Sequence, residues 1–476
     1  MLFNSGQFLF FFIGVYLLYT RLGHRGQNTL LLIASYIFYG AWDVRFLILI
    51  FISTVVDYTA GILIHERRQA GRIDSAKRWM ILSVVVNLGI LGFFKYFNFF
   101  ADNLVALAQV FGWYISPTTL NIILPAGISF YTFQTMSYSL DIFRGKMKPT
   151  RQFFDFALFV AFFPQLMAGP IERAKRLLPQ IESPRTIQRE QVMEGTWLFF
   201  WGVFKKVFIA DNLAPYSFWS SAMGMSPTAA DIYLGSLAFI LQFYCDFSGY
   251  SDMARGLASV MGFKLSLNFN LPYFSTNPSV FWSRWHITLS SWLRDYVYAP
   301  IVKGKYLNGN KTMALLLTMG ISGFWHGADW KFILWGALWG ATIYVYRKMI
   351  PTIAILRAKG DVWRIFLGIG GAIITLNLWI FLSPLFTSPT LGDGLSNMWI
   401  IISDGSTSNY TSKDALTVLY YLWPLVLMQI AQFYTKDHLI IFKVPYPIRI
   451  VIYSGLALLL MTSGAEGGAE FLYFQF

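Results

Sequence analysis

Charge is scarce in this sequence: only 13% of its 476 residues are Asp, Glu, Lys or Arg, about half of the ~25% usual in soluble domains. A water-facing surface of ordinary size cannot be assembled from so few. With 56% apolar residues and a mean hydropathy of +0.51, the composition reads instead as an all-α polytopic membrane protein. Cysteine is almost missing too. Cys245 is the single one, so an intrachain disulfide and a cysteine metal cluster are both excluded. A lone buried thiol of this kind is more often packing than nucleophile.

Several catalytic signatures are also missing. There is no P-loop and no dinucleotide glycine fingerprint. Gly320-Ile321-Ser322-Gly323 falls one residue short of a nucleophile elbow. His286 and His326 have no His-x-x-x-His spacing and no Cys partner, so no metal is expected. The net charge of +13 could suggest nucleic acid, but basic residues in a membrane protein usually mark cytoplasmic loops.

What is there is a succession of apolar runs near the ~20 residues that cross a bilayer. They cover 5–20, 28–42, 46–64, 79–100, 119–140, 152–168, 195–213, 229–262, 311–346, 364–386, 416–434 and 448–463, giving about ten to twelve expected spans. Arg21 and Arg25 follow the first run, which predicts an N-terminus outside and those arginines inside. Basic loops at 66–78, 144–151 and 173–189 are then cytoplasmic, with a hairpin turning near Trp42-Asp43-Val44-Arg45. Because both flanks of 152–168 are basic, that run is expected to dip into the membrane and return. Residues 387–415 are rich in Ser, Thr, Asn and Gly and read as an external loop, and the tail 464–476 also lies outside. No internal repeat is visible.

Polar residues inside the apolar runs carry the chemistry. His326 stands in Gly-Ile-Ser-Gly-Phe-Trp-His-Gly-Ala-Asp-Trp (320–330), with Trp325, Trp330, Trp335 and Trp339 around it and Gly323 and Gly327 on either side. On a continuous helix, Asp329 and Trp330 at spacings of three and four would lie beside it. An ionisable group at membrane depth needs a partner, a water-filled cavity or a task. The plain alternative is a core histidine donating a hydrogen bond between helices. A second polar stretch, 281–300, contains His286; on a helix it would group Trp285, Thr288, Trp292 and Asp295 on one face. Arg284 and Arg294 there fit an interfacial helix with snorkelling side chains. Asp246, Asp252 and Arg255 interrupt a further apolar stretch, either as a structural ion pair or as the lining of a polar path. Leu-Pro-Ala-Gly-Ile-Ser-Phe-Tyr-Thr-Phe-Gln (124–134) and Phe-Pro-Gln-Leu-Met-Ala-Gly-Pro-Ile-Glu-Arg (163–173) predict kinked or broken helices. A histidine able to act as general base on a hydroxyl, with a carboxylate to orient it, is the chemistry left by these exclusions.

Those two blocks, with Asp-Phe-Ser-Gly-Tyr-Ser-Asp (246–252), Phe-Trp-Ser-Arg-Trp-His (281–286) and Trp-His-Gly (325–327), resemble the membrane-bound O-acyltransferase family, in particular its bacterial alginate O-acetyltransferase-like branch. The resemblance runs over nearly the whole chain. It implies one integral-membrane acyltransferase domain over 1–476, built as a ring of tilted and broken transmembrane helices around a central funnel or tunnel. It makes His326 the catalytic histidine and His286 the second motif histidine; Asp295 and Asp329 are candidate orienting carboxylates by their spacing alone. The acyl donor it implies is acetyl-CoA, with no metal. The acceptor route passes through an extracytoplasmic acetyltransferase subunit to a polysaccharide, from the bacterial inner membrane. The tail Phe-Leu-Tyr-Phe-Gln-Phe (471–476) is similar to the ending of a small partner in teichoic acid D-alanylation, which makes Tyr473 a candidate acyl relay. An aromatic interface anchor is the alternative for the tail. A transporter or channel, and a membrane scaffold for a periplasmic enzyme, are the alternatives for the whole chain.

Overall fold

A computed structural model gives the fold; the residues described are 1–116, 120–217, 227–304, 307–466 and 470–472. Among them every regular element is helical. The chain forms two compact units, one of Met1–Phe199 with Met253–Ser266 and one of Phe200–Asp252 with Leu267–Phe476.

The first unit contains α1 (Gly6–Tyr19), α2 (His24–Asp43), α3 (Leu47–Gln69), α4 (Ile73–Leu91), α5 (Phe97–Val110), α6 (Ile128–Phe143), α7 (Phe153–Ala161), α8 (Phe163–Leu166), α9 (Ala174–Glu182) and most of α10 (Arg189–Val203). The break between α2 and α3 falls at Val44–Phe46, where the Asp43 carboxylate accepts from Arg45 N at 2.9 Å. Helix α6 is buried nearly all round and is the core of this unit. Its start depends on Gly127, whose φ of 74° suits glycine. A Cβ there would also press on Leu166 O and Met167, so the two glycine–proline blocks meet at this point. Helices α7 and α8 have 9 and 4 residues, too short to cross ~30 Å of hydrocarbon at ~1.5 Å per residue.

The second unit holds α11 (Asp211–Ser217), α12 (Ala229–Val260) up to Asp252, α13 (Pro278–Arg284), α14 (Ile287–Leu293), α15 (Ala299–Lys303), α16 (Lys311–His326), α17 (Trp330–Ala358), α18 (Asp361–Leu382), α19 (Pro384–Thr387), α20 (Leu391–Ser403), α21 (Ser412–Thr435) and α22 (Tyr446–Ser463). Helices α16 and α17 pack backbone to backbone. A Cβ on Gly323 would strike Phe332 O, and one on Gly336 would strike Met319 O. Small residues at such a contact let two membrane helices approach where lipid supplies no hydrophobic drive.

By length and hydropathy, five helical runs among the described residues qualify as membrane spans: His24–Gln69, Ile73–Val110, Asp361–Thr387, Ser412–Thr435 and Tyr446–Ser463. Fewer qualify than the apolar runs suggest because others are divided or carry buried charge. The run 311–346 is not one helix. It stops at His326, Gly327 is extended, and Asp329 begins α17 by accepting from Lys331 N at 2.9 Å. The stretch 281–300 is likewise broken, at Trp285–His286, because main-chain bonds from Asn270 N to Arg284 O and from Ile287 N to Asn268 O (both 2.9 Å) pull it aside. The expected external loop 387–415 contains α20, which starts on a capping box made by Thr390 and Asp393.

Candidate active site

His326 is the last residue of α16 and is 2% exposed. Its imidazole is walled by rings: Trp325 at 5.1 Å, Phe386 at 5.3 Å and Trp335 at 5.4 Å between centroids. The edge-on geometry to Trp335 and Phe386 (88° and 71°) points positive ring edges at negative ring faces. His286, also buried, lies against Phe247 at 4.8 Å and Trp325 at 5.6 Å. The indole of Trp325 therefore touches both histidines, and the structure brings His286 and His326 into one cluster.

His286 sits there at a backbone cost. Its φ of 42° and ψ of 55° are left-handed, a region that side chains other than glycine and asparagine seldom occupy. Asn268 holds the bend. Its carbonyl accepts Ile287 N at 2.9 Å, its Oδ1 accepts the Thr288 hydroxyl at 2.9 Å, and its Nδ2 donates to Ser251 Oγ at 3.2 Å. Sequence reasoning missed Asn268, since an asparagine between apolar residues carries no motif. It also missed Trp379 in the outer shell. Phe281 stacks on Trp339 at 5.3 Å, and Trp282, Trp335 and Trp379 close around them. Trp330, expected beside His326, is 54% exposed because the helix restarts there.

Each of the two carboxylates considered as orienters has a partner of its own. Asp329 caps α17, and its spacing from His326 is not helical. Asp295 lies in the π-helical turn Arg294–Tyr298 and pairs with Arg294 at 3.0 Å. Asp246 and Asp252 are ion-paired with lysines the sequence reading passed over, Lys206 (2.7 Å) and Lys205 (2.7 Å). Tyr473 lies outside the described residues.

Two cavities approach the cluster. One, of about 270 Å³, is lined by Trp282, Ser322, Ser290, Ser291, Arg294 and Arg347 among others. Ser322 is one helical turn before His326 on α16. The other, of about 360 Å³, is lined by Asp231, Phe239, Thr387, Ser388, Asp393 and Tyr410 among others. Phe386, which packs on His326, is 6.0 Å from Phe239 and directly precedes Thr387. His326 lines neither cavity itself; ring contacts lead from it through Trp335 to Trp282 of the first and through Phe386 to Phe239 of the second. Beside the second cavity, Asp404 accepts Ala229 N at 2.9 Å, and the Ser406 hydroxyl holds its carboxyl below the usual range. The cavity lining itself includes the carboxylates of Asp231 and Asp393.

The model of the membrane-bound O-acyltransferase family matches residues 146–387, a stretch that includes both histidines. The protein named "Probable alginate O-acetylase" of Azotobacter vinelandii is 41% identical over 446 residues, covering 92% of this chain and 86% of that protein. The peptidoglycan O-acetyltransferase of Helicobacter pylori is 37% identical over 386 residues, 73% of this chain and 70% of its own length. A teichoic acid D-alanyltransferase of Bacillus subtilis is 29% identical over 229 residues, 45% and 57% of the two chains. This multi-pass membrane protein thus belongs to the membrane-bound O-acyltransferase family.

Proposed function

We propose that the chain moves an acetyl group from a cytosolic thioester donor, acetyl-CoA, across the bacterial inner membrane to an extracytoplasmic acceptor used for polysaccharide O-acetylation. The observation that carries this reading is the position of His326 at the end of α16, linked by ring contacts to residues that line two separate cavities. The first cavity offers hydroxyls and two arginines, Arg294 and Arg347, suited to an anionic donor. It lies on the side of α17 where Arg347, Lys348, Arg357 and Lys359 gather, as a cytoplasmic face requires. The second cavity is bordered by the Ser-, Thr- and Asn-rich segment read as external. The relatives named for acetylating alginate and peptidoglycan support acetyl as the group and a glycan as the final acceptor.

In this reading His326 takes the proton of the acceptor hydroxyl as that oxygen attacks the thioester carbonyl. The carbon–sulfur bond breaks, the proton passes to the leaving thiolate, and an ester remains on the acceptor. A base so placed contributes about 10²–10⁴-fold, and confinement of both reactants supplies much of the rest. His286 packs beside Trp325 and completes the acceptor's surroundings. Tyr473 is the candidate first acceptor, relaying acetyl to an extracytoplasmic transferase subunit, with the N-terminus and the tail outside. Residues 1–476 act as one acyltransferase domain.

The test is transfer of labelled acetyl from acetyl-CoA in reconstituted vesicles, with His326→Ala beside the wild type. Loss of transfer by a folded variant is expected; unchanged transfer removes the enzyme reading and leaves a scaffold or transporter. Tyr473→Phe should abolish label on the protein. Label that persists returns the tail to an interface anchor.

A further inference from the structure

Away from the histidines, the second unit buries a lysine. Lys206 lies in the π-helical turn Phe204–Ala210 and is 2% exposed. A buried ammonium is tolerated only when its three protons are all accepted. Its Nζ lies 2.7 Å from Asp246 Oδ1, 2.8 Å from Asp211 Oδ1 and 3.2 Å from the carbonyl oxygen of Glu470. The third acceptor belongs to the end of the chain. The two residues after it are bound as well. The Phe471 ring centroid is 4.6 Å from Nζ and 4.9 Å from the Tyr250 ring, and Leu472 N donates to the other oxygen of Asp246 at 3.0 Å. A carbonyl, a ring and an N–H of three successive residues thus meet groups of the same buried ion pair.

This arrangement explains why the charges are tolerated. Take residues 470–472 away, and the ammonium loses an acceptor and a ring face while Asp246 loses a donor, all in an apolar setting. The ion pair is complete only with the tail in place.

We propose that Lys206, Asp211 and Asp246 form a peptide-binding site for a short segment with an aromatic residue between a free carbonyl and a free N–H. It is filled by the chain's own residues 470–472. The three charged residues are positioning residues that hold residues 470–472 in one register. Recognition is of main chain plus one ring, so the side chain at 472 is replaceable and its N–H is not. The inference is independent of acyl transfer and of any acyl group on Tyr473.

The test uses the full-length protein in detergent, digested with a glutamyl endoprotease and followed by intact mass for cleavage after Glu470. Leu472→Pro, which removes the N–H that Asp246 accepts, should be cut about 10- to 100-fold faster than wild type. Leu472→Ala, which keeps the N–H, should stay within about threefold of wild type. A Lys206→Met, Asp211→Asn, Asp246→Asn triple variant removes the charges together and should release the tail as Leu472→Pro does, without a lower unfolding temperature. Cleavage of Leu472→Pro at the wild-type rate would overturn the proposal. So would Leu472→Ala being cut as fast as Leu472→Pro, since leucine packing would then be the anchor. Should the triple variant not fold, the two Leu472 variants decide alone.

Discussion

Each unit buries a titratable centre, and the two are walled differently. In the first unit Asp57 is wholly buried, and its oxygens accept from Ser83, Ser139 and Asn87 on helices α4 and α6. Thr135 extends that network by donating to Asn87 at 3.2 Å. In the second unit His286 and His326 are walled by Phe247, Trp325, Trp335 and Phe386, with two cavities in the same unit. A polar group surrounded by donors on separate helices ties those helices together and leaves nothing to react. In the second unit aromatic rings pack directly against the imidazoles. The lesson is that burial alone does not distinguish a tie from a site. The chemistry of the wall does.

His326→Ala breaks this comparison most strongly. Labelled acetyl transfer should fall about 10²–10⁴-fold, while thermal unfolding moves little, because the loss is chemical. Asp57→Ala is the converse. It leaves several buried donors unpaired, so unfolding should cost about 1–3 kcal/mol, whereas transfer per folded molecule stays near wild type. A large loss of transfer at full stability would mean that the first unit also contributes chemistry.

Asn268→Ala sharpens the middle ground. It removes the bonds to Thr288 and Ser251 that steady the strained His286 bend. About 0.5–1.5 kcal/mol of stability should go, with kcat falling while KM for the donor holds; equal changes in both would assign Asn268 to binding. Smallest should be Asp295→Asn. Its visible ion pair with Arg294 is solvent-facing, worth at most ~1 kcal/mol, so transfer should change less than about twofold. A tenfold loss would restore Asp295 as an orienting carboxylate.

The membrane class and the two histidines are legible in the sequence because scarcity of charge and an isolated ionisable residue are local signals. The breaks are not. Residues 311–346 and 281–300 read as continuous helices, since nothing local foretells that Asp329 will cap a new helix or that Asn268 will draw Ile287 aside. For the same reason Trp330 looked like a wall and proved exposed, while Phe386, sixty positions along, forms the wall. Asp246 and Asp252 were visible as intruding charges, yet their lysine partners lie 40 and 47 residues away.

The sequence alone determined that the chain lives in lipid and that two histidines stand inside its apolar runs. Those follow from side-chain solubility and size, which each residue carries with it. Only the tertiary structure decided which aromatic rings enclose the histidines, which cavities approach them, and that the chain's end completes a buried ion pair. Such outcomes depend on groups distant in sequence satisfying one another where water cannot.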